Sequence, residues 1–396
     1  MMVNPEVLTW ARKTAGFTAD EAARALGFND TRDRSAAERL MALENGEEEP
    51  SRSVLVRMSK AYRRALLVFY LSEPPRTGDR GQDFRTVPGG APPLYNPLLD
   101  ALIRDIRGRQ TTVRGLLEET EPQPVNFIGS ASVNDPTVDL ANRIRERLGF
   151  SLDRFRRQAT VDLAFSYLRE TIEAAGVYVL LLGSHHTNIS VDVFRGFAIA
   201  DPIAPFIVIN DQDARPAWSF TALHEMAHLW LGATGLSGAS IEARIERYCN
   251  DVAGEILLPT AEIQTLAYLR RAPIAEVIEA VSPFANARKI SRAMVAYKLL
   301  RASAISEPTW RQVADHLRHE WLASRRRQEE EGDSSDSGGP SYYVVKRHRL
   351  GNALLDVIRR SLGEGIITYT KAAQVLGVKP RNVDPLVHGT FLEGGR

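Results

Sequence analysis

The chain reads as an α+β protein, mostly helical, with one small sheet in its middle. Three observations carry that reading. Apolar residues recur at helical spacing over most of the 396 residues. Short continuous apolar runs of strand character cluster in one stretch, between Val177 and Asn210. No self-similar period of about 20 to 50 residues is visible, so a repeat architecture is not expected.

Taken in order, Pro5 to Ala15 carries Val7, Leu8, Ala11 and Ala15 at helical spacing, and Gly16 stops it. Thr18 caps the next helix, with Glu21 completing a capping box, and Gly27 ends it. Helices from about Ser35 to Asn45 and from Ser51 to Leu71 follow, and Pro74-Pro75 closes a first domain, residues 1–75. Residues 76–124 form a connector rich in Gly, Pro and Arg, then a helix from Pro97 to Glu119. Helical patterns return at Pro136 to Leu148 and Ala159 to Ala174. Val177 to Leu182 and Val191 to Ala200 read as strands, and Phe206 to Asn210 as a short apolar run ending in a turn at Asp211-Gln212-Asp213. From Trp218 the pattern is helical through about Leu322, which makes 125–323 a second domain. Residues 324–341 combine Arg and Glu runs with Ser, Asp and Gly, and a disordered linker is expected there. Residues 342–396 form a small helical unit with nine Lys or Arg against four Asp or Glu.

Composition narrows the function. The content of 44% hydrophobic and 25% charged residues is that of a globular protein. The longest apolar runs, Ala65 to Leu71 and Val177 to Leu182, are far too short to span a bilayer, so no membrane partner is expected. Met1 to Pro5 shows no basic-then-apolar leader, and one cysteine, Cys249, allows neither an internal disulfide nor a multi-cysteine zinc site. A cytoplasmic location is the expectation. The net charge of +1 gives no global field toward nucleic acid. The skew of 43 Arg to seven Lys is ascribed to genome composition rather than to phosphate recognition.

The segment Thr221-Ala-Leu-His224-Glu225-Met-Ala-His228 contains His-Glu-x-x-His. Histidines four apart on a helix project from one face, one turn apart, close enough to bind one metal ion. Neutral imidazoles suit Zn²⁺, which makes a nucleophile of water near neutral pH, and Glu225 is placed to take that water's proton and pass it to a leaving amine. Ala222, Leu223, Met226, Ala227, Leu229, Trp230 and Leu231 make this helix apolar nearly all round. Such a helix is buried, and buried histidines beside a buried glutamate need a partner that a metal supplies. A catalytic zinc takes a third protein ligand and keeps one position open. Spacing leaves Glu242, Glu246 and Glu255 as candidates. Glu246, 18 residues beyond His228, leaves room for a turn and a return helix, and Asn250 one turn further is placed to hold its carboxylate. Cys249 reads as inert packing, His185-His186 as a loop pair without a role, and His316 and His319 as surface residues.

His224-Glu-Met-Ala-His228, followed by Glu246-Arg-Tyr-Cys-Asn250-Asp-Val-Ala253-Gly-Glu-Ile-Leu-Leu-Pro259, resembles the ImmA/IrrE metallopeptidases. Their second motif runs Glu-x-x-Ala-Asn-x-Phe-Ala and then Leu-Leu-Met-Pro. Cys249 for Ala and Val252 for Phe are departures that leave the metal assignment intact. The resemblance covers roughly residues 125 to 305 and implies a zincin-like fold with Glu246 as the third zinc ligand. It also implies that Phe194 to Asn210 supplies an edge strand that pairs with extended substrate.

Asn4 to Ala23, with the closing Leu40-Met-Ala-Leu-Glu44-Asn-Gly46 and Pro50, resembles the XRE (Cro/phage-repressor) helix-turn-helix. That resemblance implies a reading helix near Ser35 to Leu43, with DNA contacts from Arg32, Arg34 and Arg39. The charges oppose it. Residues 1–75 hold eleven basic and eleven acidic side chains, and Glu38, Glu44 and Glu47 to Glu49 surround the reading helix. A competing reading is a helical unit for homodimerisation or protein docking. The tail from Ile366 to Val378 also reads as half a helix-turn-helix, with nucleic-acid contact and docking on the peptidase domain both open. The expectation for the whole is a zinc-dependent endopeptidase cleaving a partner regulator, a repressor or a toxin-system protein. The alternative is a DNA-binding regulator or antitoxin whose zinc domain only binds its partner.

Overall fold

The computed structural model describes residues 3–75, 97–119, 123–183, 189–232, 239–332 and 341–389. The chain divides into two compact units, the first of described residues 3–75 with 97–105 and the second of 106–389.

The first unit contains α1 (Pro5–Thr14), α2 (Ala19–Ala25), α3 (Ala36–Glu44) and α4 (Arg52–Ala61), then a 3₁₀ turn, Leu66–Tyr70. The Thr18–Glu21 capping box forms, and Ser35 with Glu38 builds a second one at the start of α3. Leu8, Leu26, Leu40, Leu55, Met58 and Phe69 are buried together. The half-buried Arg12 forks onto the buried Glu44, Nε and Nη2 each 2.8 Å from a carboxylate oxygen, and ties α1 to α3. The single helix expected over Ser51 to Leu71 is broken after Ala61. Arg63 turns into the left-handed region at φ 50°, which folds Phe69 back into the core, where its carbonyl accepts from the Asn4 N–H at 3.3 Å. Burial of Phe69 outweighs helical continuity.

Between α5 (Pro97–Glu118) and the sheet lie α6 (Thr137–Leu148), α7 (Leu152–Arg156) and α8 (Val161–Ala174). The sheet has three strands in the order β1-β3-β2: β1 (Tyr178–Leu181) is parallel to β3 (Phe206–Ile209), and β2 (Gly196–Ile199) is antiparallel to it. Val179, Leu181, Ile207 and Ile209 face the main core on alternate positions, while Tyr178 and Phe206 stack at 4.9 Å on the other face. β2 is shorter than the strand expected from Val191 to Ala200. The buried Asn210 amide donates to the carbonyls of Ile189 (2.9 Å) and Phe194 (3.0 Å) and holds that segment off the sheet as a loop.

After the sheet come α9 (Arg215–Leu231), α10 (Ala239–Leu257), α11 (Thr260–Ile263), α12 (Ile274–Arg288), α13 (Arg292–Arg301) and α14 (Glu307–Gly332). The disordered linker expected over 324–341 is corrected in part: α14 continues through Gly332, and 333–340 lie outside the described residues. Arg325 is anchored rather than loose, donating to Gln212 Oε1 at 2.8 Å and standing over the Trp321 ring. The tail helices α15 (Tyr342–Leu350), α16 (Asn352–Gly363), α17 (Tyr369–Leu376) and α18 (Val383–His388) are fastened to α8 and β1. The buried Arg169 guanidinium donates to the carbonyls of His348, Arg349 and Val179, and Glu173 accepts the Asn352 and Ala353 N–H groups at the start of α16. Burial is the larger influence on both groups, pulling the Arg169 pKa down and pushing that of Glu173 up. Among the described residues no helix is long and apolar enough to cross a membrane.

One buried ion pair tests this packing. Lys298 on α13 donates to Glu255 Oε2 at 2.8 Å, both side chains nearly out of solvent. Burial alone would raise the Glu255 carboxyl, but Lys298 and Thr260 outweigh it and hold it below the usual carboxylate range. A depressed carboxyl stabilises the fold above its unfolded pKa and loses that contribution as pH falls. Lys298→Met is therefore expected to cost about 3 kcal/mol at pH 7, with the deficit shrinking below about pH 4, as read by urea unfolding.

Candidate metal centre

α9 is built to be swallowed by the core. Pro216 sits in its first turn, where no amide proton is needed, and Ala, Leu, Met and Trp carry it onward. Every residue from Trp218 to Trp230 is buried. Gly232 ends the helix at φ 58°, and a Cβ there would stand 2.6 Å from Gly129 Cα. That close approach lets the Gly129 and Ala131 N–H groups bond the carbonyls of Leu229 (3.0 Å) and Trp230 (2.9 Å), so the helix end is satisfied without water. Phe127 stacks on Trp230 at 5.0 Å beside it.

One turn apart on this helix, His224 and His228 bring their Nε2 atoms within 3.0 Å of each other. Their side chains are 0% and 2% exposed. α10 packs against α9 and delivers Glu246, whose Oε2 lies 3.3 Å from His224 Nε2 and whose Oε1 lies 3.2 Å from His228 Nε2. Burial alone would raise the Glu246 carboxyl, but His224 and His228 outweigh it and hold it well below the carboxylate range. Two imidazole nitrogens and a carboxylate thus converge on one point, with all three ligand atoms within 4.8 Å of one another.

The spacing fits a metal. Ligand atoms at about 2.1 Å around a tetrahedral zinc stand roughly 3.4 Å apart, close to the three separations seen here. The donor set of two nitrogens and one oxygen is also that of a zinc site with a fourth position left open. Glu225, one residue past His224, is 1% exposed, and its carboxylate lies against β2 at Gly196.

The other sequence candidates fall elsewhere. Glu255 is held by Lys298 and by the Thr260 backbone and hydroxyl, away from the histidines, and the Glu242 side chain lies outside the described residues. Asn250 makes no hydrogen bond to Glu246, and its Oδ1 is buried without a partner, so the expected carboxylate contact is absent. Cys249 is fully buried in the core of α10 and is not part of the ligand group. His316 pairs with Glu320 on the surface, and His185-His186 lie outside the described residues. In the first unit, Arg34 pairs with Glu48 at 2.8 Å and Arg39 donates to the Asn29 carbonyl at 2.9 Å beneath the Phe28 ring, while Arg32 is exposed.

Sequence reasoning missed the residues that aim α10. The Arg145 guanidinium donates to the Glu255 and Ile256 carbonyls and Arg156 to that of Leu257, closing the helix end. No local signal marks them, because their partners lie about a hundred residues away. Gly196 was also unmarked, although a glycine inside a strand pattern often signals close backbone approach.

Residues 172–300 match the IrrE N-terminal-like domain family (Peptidase_M78). No curated protein and no solved structure matches the chain. The matched span opens in α8 and closes in α13, so it holds the whole sheet and all three converging ligands. Over those residues the match implies a domain of metallopeptidase type.

Alanine at His224, His228 or Glu246 is expected to abolish stoichiometric metal binding, while Glu255→Ala retains it, as read by metal analysis of the purified variants.

Proposed function

We propose that this chain is a zinc-dependent regulatory endopeptidase that cleaves a partner regulator protein, a repressor or a toxin-system component. The observation that carries the proposal is the convergence of His224, His228 and Glu246 beside a buried Glu225. A zinc ion bound there would supply Lewis-acid activation of water and of a peptide carbonyl. Glu225 takes the proton from the attacking water on a carboxylate oxygen and delivers it to the leaving amine nitrogen. Its near-complete burial keeps bulk water from competing for that proton. A scaffold that only bound its partner would have no use for this carboxylate.

The sheet favours an extended protein substrate. The Asn210 N–H donates to the Arg195 carbonyl, which makes that residue pair a bonded one in the antiparallel ladder. Gly196 and Ala198 then fall in non-bonded pairs, so their N–H and C=O groups point away from β3. Among the described residues no strand covers that edge. An extended peptide laid along it would place main-chain atoms beside the ligand group.

Residues 1–75 are the partner-selecting element in this reading. Arg34 and Arg39 are engaged within the unit, and balanced charge leaves few side chains for phosphate neutralisation.

The test compares wild type with Glu225→Gln in cells, mapping newly formed protein N-termini. Glu225→Gln is expected to keep its zinc and lose cleavage by at least about 10²- to 10⁴-fold, with new N-termini in a regulator only for wild type. Equal regulatory effect of the two, with the partner uncut, would favour the partner-binding antitoxin instead.

A further inference from the structure

β2 meets α9 at one point with no side chain between them. A Cβ built on Gly196 would stand 2.5 Å from Thr221 Cγ2, 2.9 Å from Glu225 Oε1 and 3.1 Å from the Val208 carbonyl oxygen. Thr221 and Glu225 are one turn apart on α9, at 0% and 1% exposure, so this contact lies inside the core. Gly196 does not use left-handed backbone, and what the site requires is the missing methyl.

We infer that Gly196 is a positioning residue for Glu225: its bare α-carbon is the surface against which the carboxylate rests. The inference depends on the reading of Glu225 as the proton carrier. The three neighbours differ in how far they can yield. The Val208 carbonyl belongs to the central strand, paired on both sides. Thr221 is β-branched and buried in a helix, which restricts its torsions. Glu225 is long and unbranched, so an added methyl displaces its carboxylate first. The same contact fixes the height of the open edge above α9. One glycine therefore sets the gap between a bound peptide and the group that must reach its water.

The test separates packing from positioning. Gly196→Ala carries the two collisions under 3.0 Å together with the tight 3.1 Å contact to the Val208 carbonyl, and is expected to lower the melting temperature as well as activity. Gly196→Ala with Thr221→Ser removes the closer collision, with the threonine methyl, and leaves the one with Glu225. Both variants should bind one zinc. The double variant should regain most of the melting temperature, yet stay about 10- to 100-fold below wild type in kcat, with KM little changed, on a quenched peptide spanning the mapped cleavage site. A second readout does not depend on turnover. Acetohydroxamate, whose hydroxyl donates to a carboxylate in the position of Glu225, is titrated into the cobalt-substituted proteins and followed by visible absorption. Its binding should weaken at least about tenfold in both glycine variants and in Glu225→Gln, while Thr221→Ser alone matches wild type. A double variant equal to wild type in kcat and acetohydroxamate affinity, with Glu225→Gln impaired in both, would overturn the inference. If Glu225→Gln itself matched wild type in both, the proton-carrier reading would fail and take the inference with it.

Discussion

Everything around the site follows from α9 being buried on every side while carrying two imidazoles and a carboxylate. Polar groups taken out of bulk water in such a place cost several kcal/mol together unless partners offset it. The second unit answers by bringing a third ligand to the helix. Glu246 stands within 3.3 Å of both imidazole nitrogens, and the resulting cluster has the charge and spacing that a cation completes. α9 cannot adjust to its partner, since its C-terminal end is pinned to the Gly129 loop and its sides are packed. The fit must therefore come from α10.

That explains where the remaining polar interior is placed. Arg145 and Arg156 hold the last carbonyls of α10, and Glu255 joins the same end to Thr260 and Lys298. A helix fixed at its end presents Glu246 at a set height. On the opposite side the sheet is tied by its loops. Asn210 and Gln212 hold the segment leading to β2, Arg325 reaches Gln212 from α14, and Arg349 pairs with Asp211 at 2.9 Å. The tail helices thereby brace the turn from β3 into α9, and docking is the role their contacts support.

Much of this was legible in the sequence, for reasons that differ by element. His224, Glu225 and His228 were readable because a helix converts a spacing of four into a shared face. The choice among Glu242, Glu246 and Glu255 was not settled by spacing. What removes Glu255 is Lys298, 43 residues on, a contact with no local trace. The helix expected from Ser51 to Leu71 failed because burial of Phe69 overrode local propensity. The strand expected from Val191 failed because the Asn210 side chain took the carbonyls that a ladder would use. Arg325, in the expected linker, is helical because α14 carries it to Gln212. Asn250 shares the helix face of Glu246, as periodicity says, yet makes no bond to it. A shared face brings two side chains near without making either turn toward the other.

His224, His228 and Glu246 are the proposed ligands of a single zinc ion. X-ray absorption at the zinc edge of the purified chain measures this directly. Nitrogen and oxygen neighbours alone are expected at about 2.0 to 2.1 Å, about four in number, with imidazole scattering from two of them. A sulfur neighbour near about 2.3 Å would place Cys249 in the site and contradict this assignment, as would a single imidazole.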